Sequence, residues 1–92
     1  MTYGEFRQCL EILGLPERAT LQDIRRRHRE LVKRHHPDAG GGDSEAIRLI
    51  NAAYRAVSDY CRLYRYSFTE NGFYEQNPDE LLRKQFSGDF WE

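Results

Sequence analysis

The segment TLQDIRRRHRELVKRHHPDAGGGDSEAIRLINAAY, from Thr20 to Tyr54, decides the fold. Thr20 offers a hydroxyl to the free N–H groups of a helix start. Asp23 stands at the third helical position, where a carboxylate meets the positive end of the helix dipole. Leu21, Ile24, His28, Leu31 and His35 then fall on one stripe at helical spacing. Arg25, Arg29 and Lys33, four apart, form a neighbouring basic ridge. Pro37 ends the pattern, because proline lacks an N–H and pushes His36 out of helical conformation. These signals predict a helix over about 20–35. Gly40-Gly41-Gly42 reads as a hinge. Asp43 or Ser44 then opens a second long helix, predicted over about 43–65, with an apolar stripe of Ile47, Ile50, Tyr54, Val57, Cys61 and Tyr64. Two long helices joined by a short loop predict an antiparallel hairpin.

Working outward, Thr2 and Glu5 form a capping-box pattern ahead of Phe6, Leu10 and Leu13, and Gly14 and Pro16 stop that first short helix. On the C-terminal side, Asn71-Gly72 favours a turn. Asn77-Pro78-Asp79-Glu80 reads as a helix start, with Asn77 capping, Pro78 at the first position and Glu80 reaching back, and predicts a short helix through about Phe86. Strand-like alternation does not stand out. The expectation is therefore an all-α chain: a helical hairpin, a short N-terminal helix and a short C-terminal helical extension. Residues 1–66 would form the domain. Residues 67–92 would form an aromatic, acidic extension packing on it or following it.

A chain of 92 residues fits one domain with a thin core. The net charge of −1 gives no global field toward nucleic acid, but its distribution is uneven. Arg18 to His36 carries seven basic and two acidic residues, a net of +5; Ser67 to Glu92 carries two basic and six acidic residues, a net of −4. An acidic partner would be steered to the basic side. Cys9 and Cys61 make no metal-type spacing and read as reduced, packed residues, with a disulfide between them left open. The N-terminus lacks the pattern of a signal peptide, and no apolar run nears the ~20 residues of a membrane span. A cytoplasmic address is the expectation.

With these motifs in register the sequence resembles the J-domain (DnaJ-like) family. Leu10-Glu11-Ile12-Leu13-Gly14-Leu15 looks like that family's first helix. Ala19-Thr20 with Asp23-Ile24-Arg25 looks like the start of its second. His36-Pro37-Asp38 is its signature loop, and Ile50-Asn51-Ala52-Ala53-Tyr54 looks like the core of its third helix. The resemblance runs from about Tyr3 to Tyr64. It implies a co-chaperone that binds a DnaK-type 70-kDa heat-shock chaperone and stimulates ATP hydrolysis by that partner, with no catalytic group and no cofactor of its own. The implied contact residues are His36, Pro37 and Asp38, with Arg25, Arg26, Arg29, Lys33 and Arg34 on the basic helix. Pro37 would lower the entropy cost of docking, and Asp38 would accept a charge-assisted bond from a partner arginine.

Several positions depart from the family. Glu30 interrupts the basic patch and is expected to weaken docking or to select a particular chaperone. His28 and His35 stand where the family commonly has tyrosine. The tail replaces a fourth helix rich in Gln, Lys and Arg, and neither a glycine/phenylalanine-rich linker nor a cysteine-rich zinc module follows. Two other readings stand beside this one. One is a helical nucleic-acid binder using the Arg25-to-Arg34 face; the other is a degenerate J-like scaffold without ATPase stimulation. A metal set of His35, His36, Asp38 and Asp43 fits no structural zinc pattern. The tail aromatics Tyr66, Phe68, Phe73, Tyr74, Phe86, Phe90 and Trp91 read mainly as packing residues; the sharper alternative has Phe90 and Trp91 docking a client or second partner. The opposed charges also suggest an acidic tail lying on Arg25, Arg29 and Lys33.

Overall fold

The computed structural model describes residues 1–36 and 43–91, with side chains as far as Phe86. The elements are α1 (Tyr3–Leu13), α2 (Leu21–His35), α3 (Ser44–Leu63), α4 (Glu70–Gln76) and α5 (Pro78–Trp91). The described residues hold no strand.

Local chemistry sets the helix starts. At α1 the Thr2 hydroxyl accepts from the Glu5 N–H at 3.1 Å, and the Glu5 carboxylate accepts from the Thr2 N–H at 3.2 Å. Thr20 and Asp23 repeat this exchange at α2, both bonds 3.0 Å long. Each exchange satisfies two backbone donors that a helix start leaves free. Asp43 caps α3, its carboxylate accepting from the Glu45 N–H at 3.0 Å. Gly14 ends α1 with φ at 64°, a left-handed conformation that costs glycine nothing.

The core is small. Leu13 from α1, Ile24 and Leu31 from α2, and Ile50, Ala53 and Val57 from α3 are buried together. Phe6, Leu10, Val32, Tyr54 and both cysteines pack around them. Cys9 and Cys61 are free and half-buried. α1 and α2 both pack on α3, which therefore serves as the spine. Burial of each large aliphatic side chain stabilises by roughly 1.5–3 kcal/mol, so the loss of one is a large fraction of what so thin a core supplies.

His28 supplies a polar link across the hairpin. Its ring stacks on Tyr54 with centroids 3.9 Å apart and an interplanar angle of 11°. Its Nε2 lies 2.9 Å from the Asn51 Oδ1, so this nitrogen carries the proton and donates. The His28 ring thus packs as an aromatic residue across the hairpin.

α3 ends at Leu63, within two residues of the expected end, and Tyr64 is its half-exposed cap. Three expectations are corrected. Asn71-Gly72 lies inside α4. The Thr69 hydroxyl caps that helix by accepting from the Gly72 N–H at 3.0 Å, and Gly72 is needed because an added Cβ would sit 2.5 Å from the Ser67 Oγ. The glycine therefore answers a close approach, not a turn. α5 runs on to Trp91, past the expected end at Phe86. The Asn77 side chain donates back to the Phe73 carbonyl at 2.9 Å, closing α4, while Glu80 pairs with Arg83 at 3.1 Å.

α4 and α5 pack on each other. The Glu70 carboxylate pairs with the Lys84 ammonium, which also lies 5.4 Å from the Tyr74 ring centroid. Neither helix adds a buried residue to the core. Described extents of 65 × 28 × 18 Å reflect this elongated arrangement.

Candidate functional site

The described candidate residues lie on α2 and at its C-terminal end. α2 and α3 are joined at the loop by a backbone bond, the Asp43 N–H donating to the His35 carbonyl at 3.1 Å. The described ends of the connection, His35 and Asp43, are thus held together. His36 is the C-cap of α2, exposed, with φ −64° and ψ 137°. That extended geometry is what a following proline imposes. Pro37, Asp38 and the Gly40–Gly42 hinge lie outside the described residues, so their part in the site stays a reading of the sequence. The same holds for Asp38 in the metal set weighed above.

The 15-residue α2 spans about 22 Å and separates two sides cleanly. Ile24, Leu31 and the partly buried Arg27, His28, Val32 and His35 face the core side. Arg25, Arg29, Lys33 and Arg34 are exposed and make no ion pair among the described residues. The last turn also carries Lys33, Arg34 and His35, where cations meet the negative end of the helix dipole. Arg25, Arg29 and Lys33, spaced by four, form a ridge along α2, and Arg34 stands in its last turn on another face.

Arg26 stands apart from that ridge. Its guanidinium lies 2.9 Å from the Asp23 carboxylate in the first turn. Hydrogen bonds from the Thr20 backbone and hydroxyl, with a smaller contribution from Arg26, hold the Asp23 carboxyl below its ordinary value of 3.8. Arg26 is therefore partly spent inside α2.

Arg27 was not among the sequence candidates, and it explains Glu30. The Arg27 Nε donates to the Leu13 carbonyl at 2.9 Å, satisfying the end of α1. Its Nη1 lies 3.2 Å from Glu30. The acid that interrupts the basic patch is thus held by an arginine that ties α2 to α1. The pairing of 27 and 30 was visible at three-residue spacing; the bond to residue 13 had no sequence signal.

The described tail does not lie on the ridge. Glu70 and Glu80 pair within the tail, and Arg25, Arg29 and Lys33 remain exposed. The side chains of Phe90 and Trp91 lie outside the described residues. No helix among the described residues is long and apolar enough to cross a membrane.

Comparison with known proteins places this geometry. The DnaJ domain model matches residues 8–66, which include both hairpin helices and the loop. A chaperone protein DnaJ of Caldicellulosiruptor saccharolyticus is 48% identical over 52 residues, covering 53% of this chain and 13% of the relative. A chaperone protein DnaJ of Finegoldia magna is 36% identical over 69 residues, covering 72% of this chain and 18% of the relative. A DnaJ-like protein of Mycoplasma pneumoniae is 38% identical over 77 residues, covering 84% of this chain and 24% of the relative. The chain thus spans less than a quarter of the length of these relatives. No solved structure matches. The matched span and the three-helix core agree, and the chain belongs to the DnaJ-domain family.

Proposed function

We propose that the protein is a co-chaperone that docks on a DnaK-type 70-kDa chaperone and stimulates ATP hydrolysis by that partner. The carrying observation is the exposed ridge of Arg25, Arg29 and Lys33, with Arg34 in the last turn of α2; none of them makes an ion pair among the described residues, and the ridge leads toward His36. The ridge steers and orients an acidic partner surface. The loop then presents Pro37 and the Asp38 carboxylate. The reaction stays in the partner: this chain binds and positions, and contributes no group to the bond that breaks. Residues 1–66 are the acting domain, residues 67–92 follow it as an extension, and the setting is cytoplasmic.

The test is steady-state ATP turnover by a 70-kDa chaperone with the full chain added. Wild type is expected to raise turnover severalfold and His36→Gln to abolish the rise. Equal turnover with and without the chain, across chaperones from several bacteria, contradicts the reading. A Glu30→Gln variant separates active module from weakened scaffold. Because Arg27 already holds Glu30, the variant should change chaperone affinity less than threefold.

A further inference from the structure

The end of the molecule away from the loop carries an uncovered apolar surface that the proposed function does not use. Phe6, Tyr60, Tyr64 and Tyr66 form a ladder, with successive ring centroids 4.6, 5.8 and 5.4 Å apart. Beside it, an apolar groove of about 370 Å³ opens between the start of α1 and the end of α3, walled by Met1, Tyr3, Tyr60 and Leu63. Tyr3 is 74% exposed and Leu63 73%. The tail adds a second surface of the same kind: Phe68 is 93% exposed and Phe86 69%, with Phe73 and Leu82 about half.

We propose that two copies of this chain associate about a twofold axis through this end, the aromatic ladder of each copy covered by the α4–α5 tail of the other. Three observations select a second copy as the occupant.

The first is area. A large aromatic side chain offers about 150–250 Å², so the exposed aromatics of the ladder and tail amount to roughly 900 Å² per copy. A stable interface buries about 800 Å² per partner. Soluble monomers rarely leave so much apolar surface open.

The second is charge. Arg65, between the ladder residues Tyr64 and Tyr66, is exposed and makes no ion pair among the described residues. Glu75 and Asp79 in the tail are likewise exposed and make none. Each copy thus carries, among the described residues, an unpaired cation beside the ladder and two unpaired anions on the tail. A twofold interface needs this self-complementarity, since each residue meets its counterpart twice.

The third is that the tail leaves its own ladder largely open: Gln76 at the end of α4 reaches the groove beside Tyr60, Tyr64 and Tyr66, yet these three stay more than half exposed. α4 and α5 pack on each other, and the exposures just given are those that remain. The ladder lies at the end of α3, whereas His36 lies at the end of α2 that meets the start of α3. Association here leaves the loop open, so the two proposals stand or fall separately.

Sedimentation velocity on the full chain tests this, from about 1 to 200 µM, with a Kd near 10 µM expected. The mass should rise from 10.9 kDa toward twice that value. Leu82→Asp with Phe86→Asp, both exposed in a helix outside the core, should keep the helical circular dichroism and raise the Kd at least thirtyfold. Arg65→Glu and Asp79→Arg should each dissociate the dimer alone. Mixed in equal amounts they should form a heterodimer, because the swapped charges attract at both contacts. A single 10.9 kDa species at the highest concentration overturns the proposal, whether the patch then proves to bind a permanently unfolded client or the chain's own tail. A dimer that survives both the tail and the charge variants overturns it as well.

Discussion

Arg25 and Arg27 are two residues apart and belong to different jobs. Arg25 is exposed and unpaired, whereas Arg27 closes the end of α1 through the Leu13 carbonyl. The capping exchanges at Thr2 and Thr20 were legible because every partner lies within three residues. The bond from Arg27 to Leu13 spans fourteen residues and depends on how α2 lies against α1, which no local pattern encodes. Gly14 sits between them. A Cβ there would be held at φ 64° and would lie 2.9 Å from the Arg27 guanidinium. Gly14→Ala should therefore cost about 1–2 kcal/mol in urea unfolding, for the left-handed backbone and the displaced cap together. Asp23 yields a pH prediction. Its carboxyl is held below 3.8 in the folded chain by the Thr20 hydrogen bonds first and Arg26 second. A depressed carboxyl stabilises the fold above its ordinary value and loses that contribution as pH falls through the folded value. Thermal melting between about pH 5 and pH 2 should fall more steeply for wild type than for Asp23→Asn. Parallel curves would contradict the assignment.

At the scale of the helix, periodicity read α1, α2 and α3 well, since their apolar stripes face one shared core. Ala53 was missed there because a small side chain adds little to a stripe, though it is 2% exposed at the helix crossing. α4 was missed because glycine usually signals a turn, and only the approach of Ser67 explains why Gly72 sits in a helix. Two predictions belong to α2. Thr20→Ala removes the hydroxyl that receives the Asp23 N–H and should cost about 1 kcal/mol in denaturant unfolding. Charge reversal separates the basic residues by role. Arg25→Glu or Arg29→Glu should lower chaperone affinity at least tenfold, with the loss shrinking in high salt. Arg26→Ala should change it less than threefold, because Asp23 already holds that guanidinium. Equal losses at all three positions would remove the distinction.

Taken as a whole, the chain is a three-helix core followed by two helices that bury nothing in it. The sequence placed the loop and the ridge by resemblance and spacing; the geometry adds the backbone bond that holds His35 and Asp43 together and the internal partners that withdraw Arg26, Arg27 and Glu30. Where the tail would go was not legible, because its charges suggested α2 and two of its described carboxylates, Glu70 and Glu80, instead pair within the tail at Lys84 and Arg83. A chain ending at Tyr66 should accordingly keep the cooperative unfolding of the hairpin and its stimulation of the chaperone. Loss of folding on that truncation would mean the tail completes the core. The central claim rests on the His36-Pro37-Asp38 segment between α2 and α3. It is tested most directly by single-turnover hydrolysis of ATP preloaded on a DnaK-type chaperone, with wild type and Asp38→Asn chains compared at equal concentration. The account predicts acceleration by wild type and a basal rate with Asp38→Asn, the two proteins having the same melting temperature. Equal acceleration by both would contradict it.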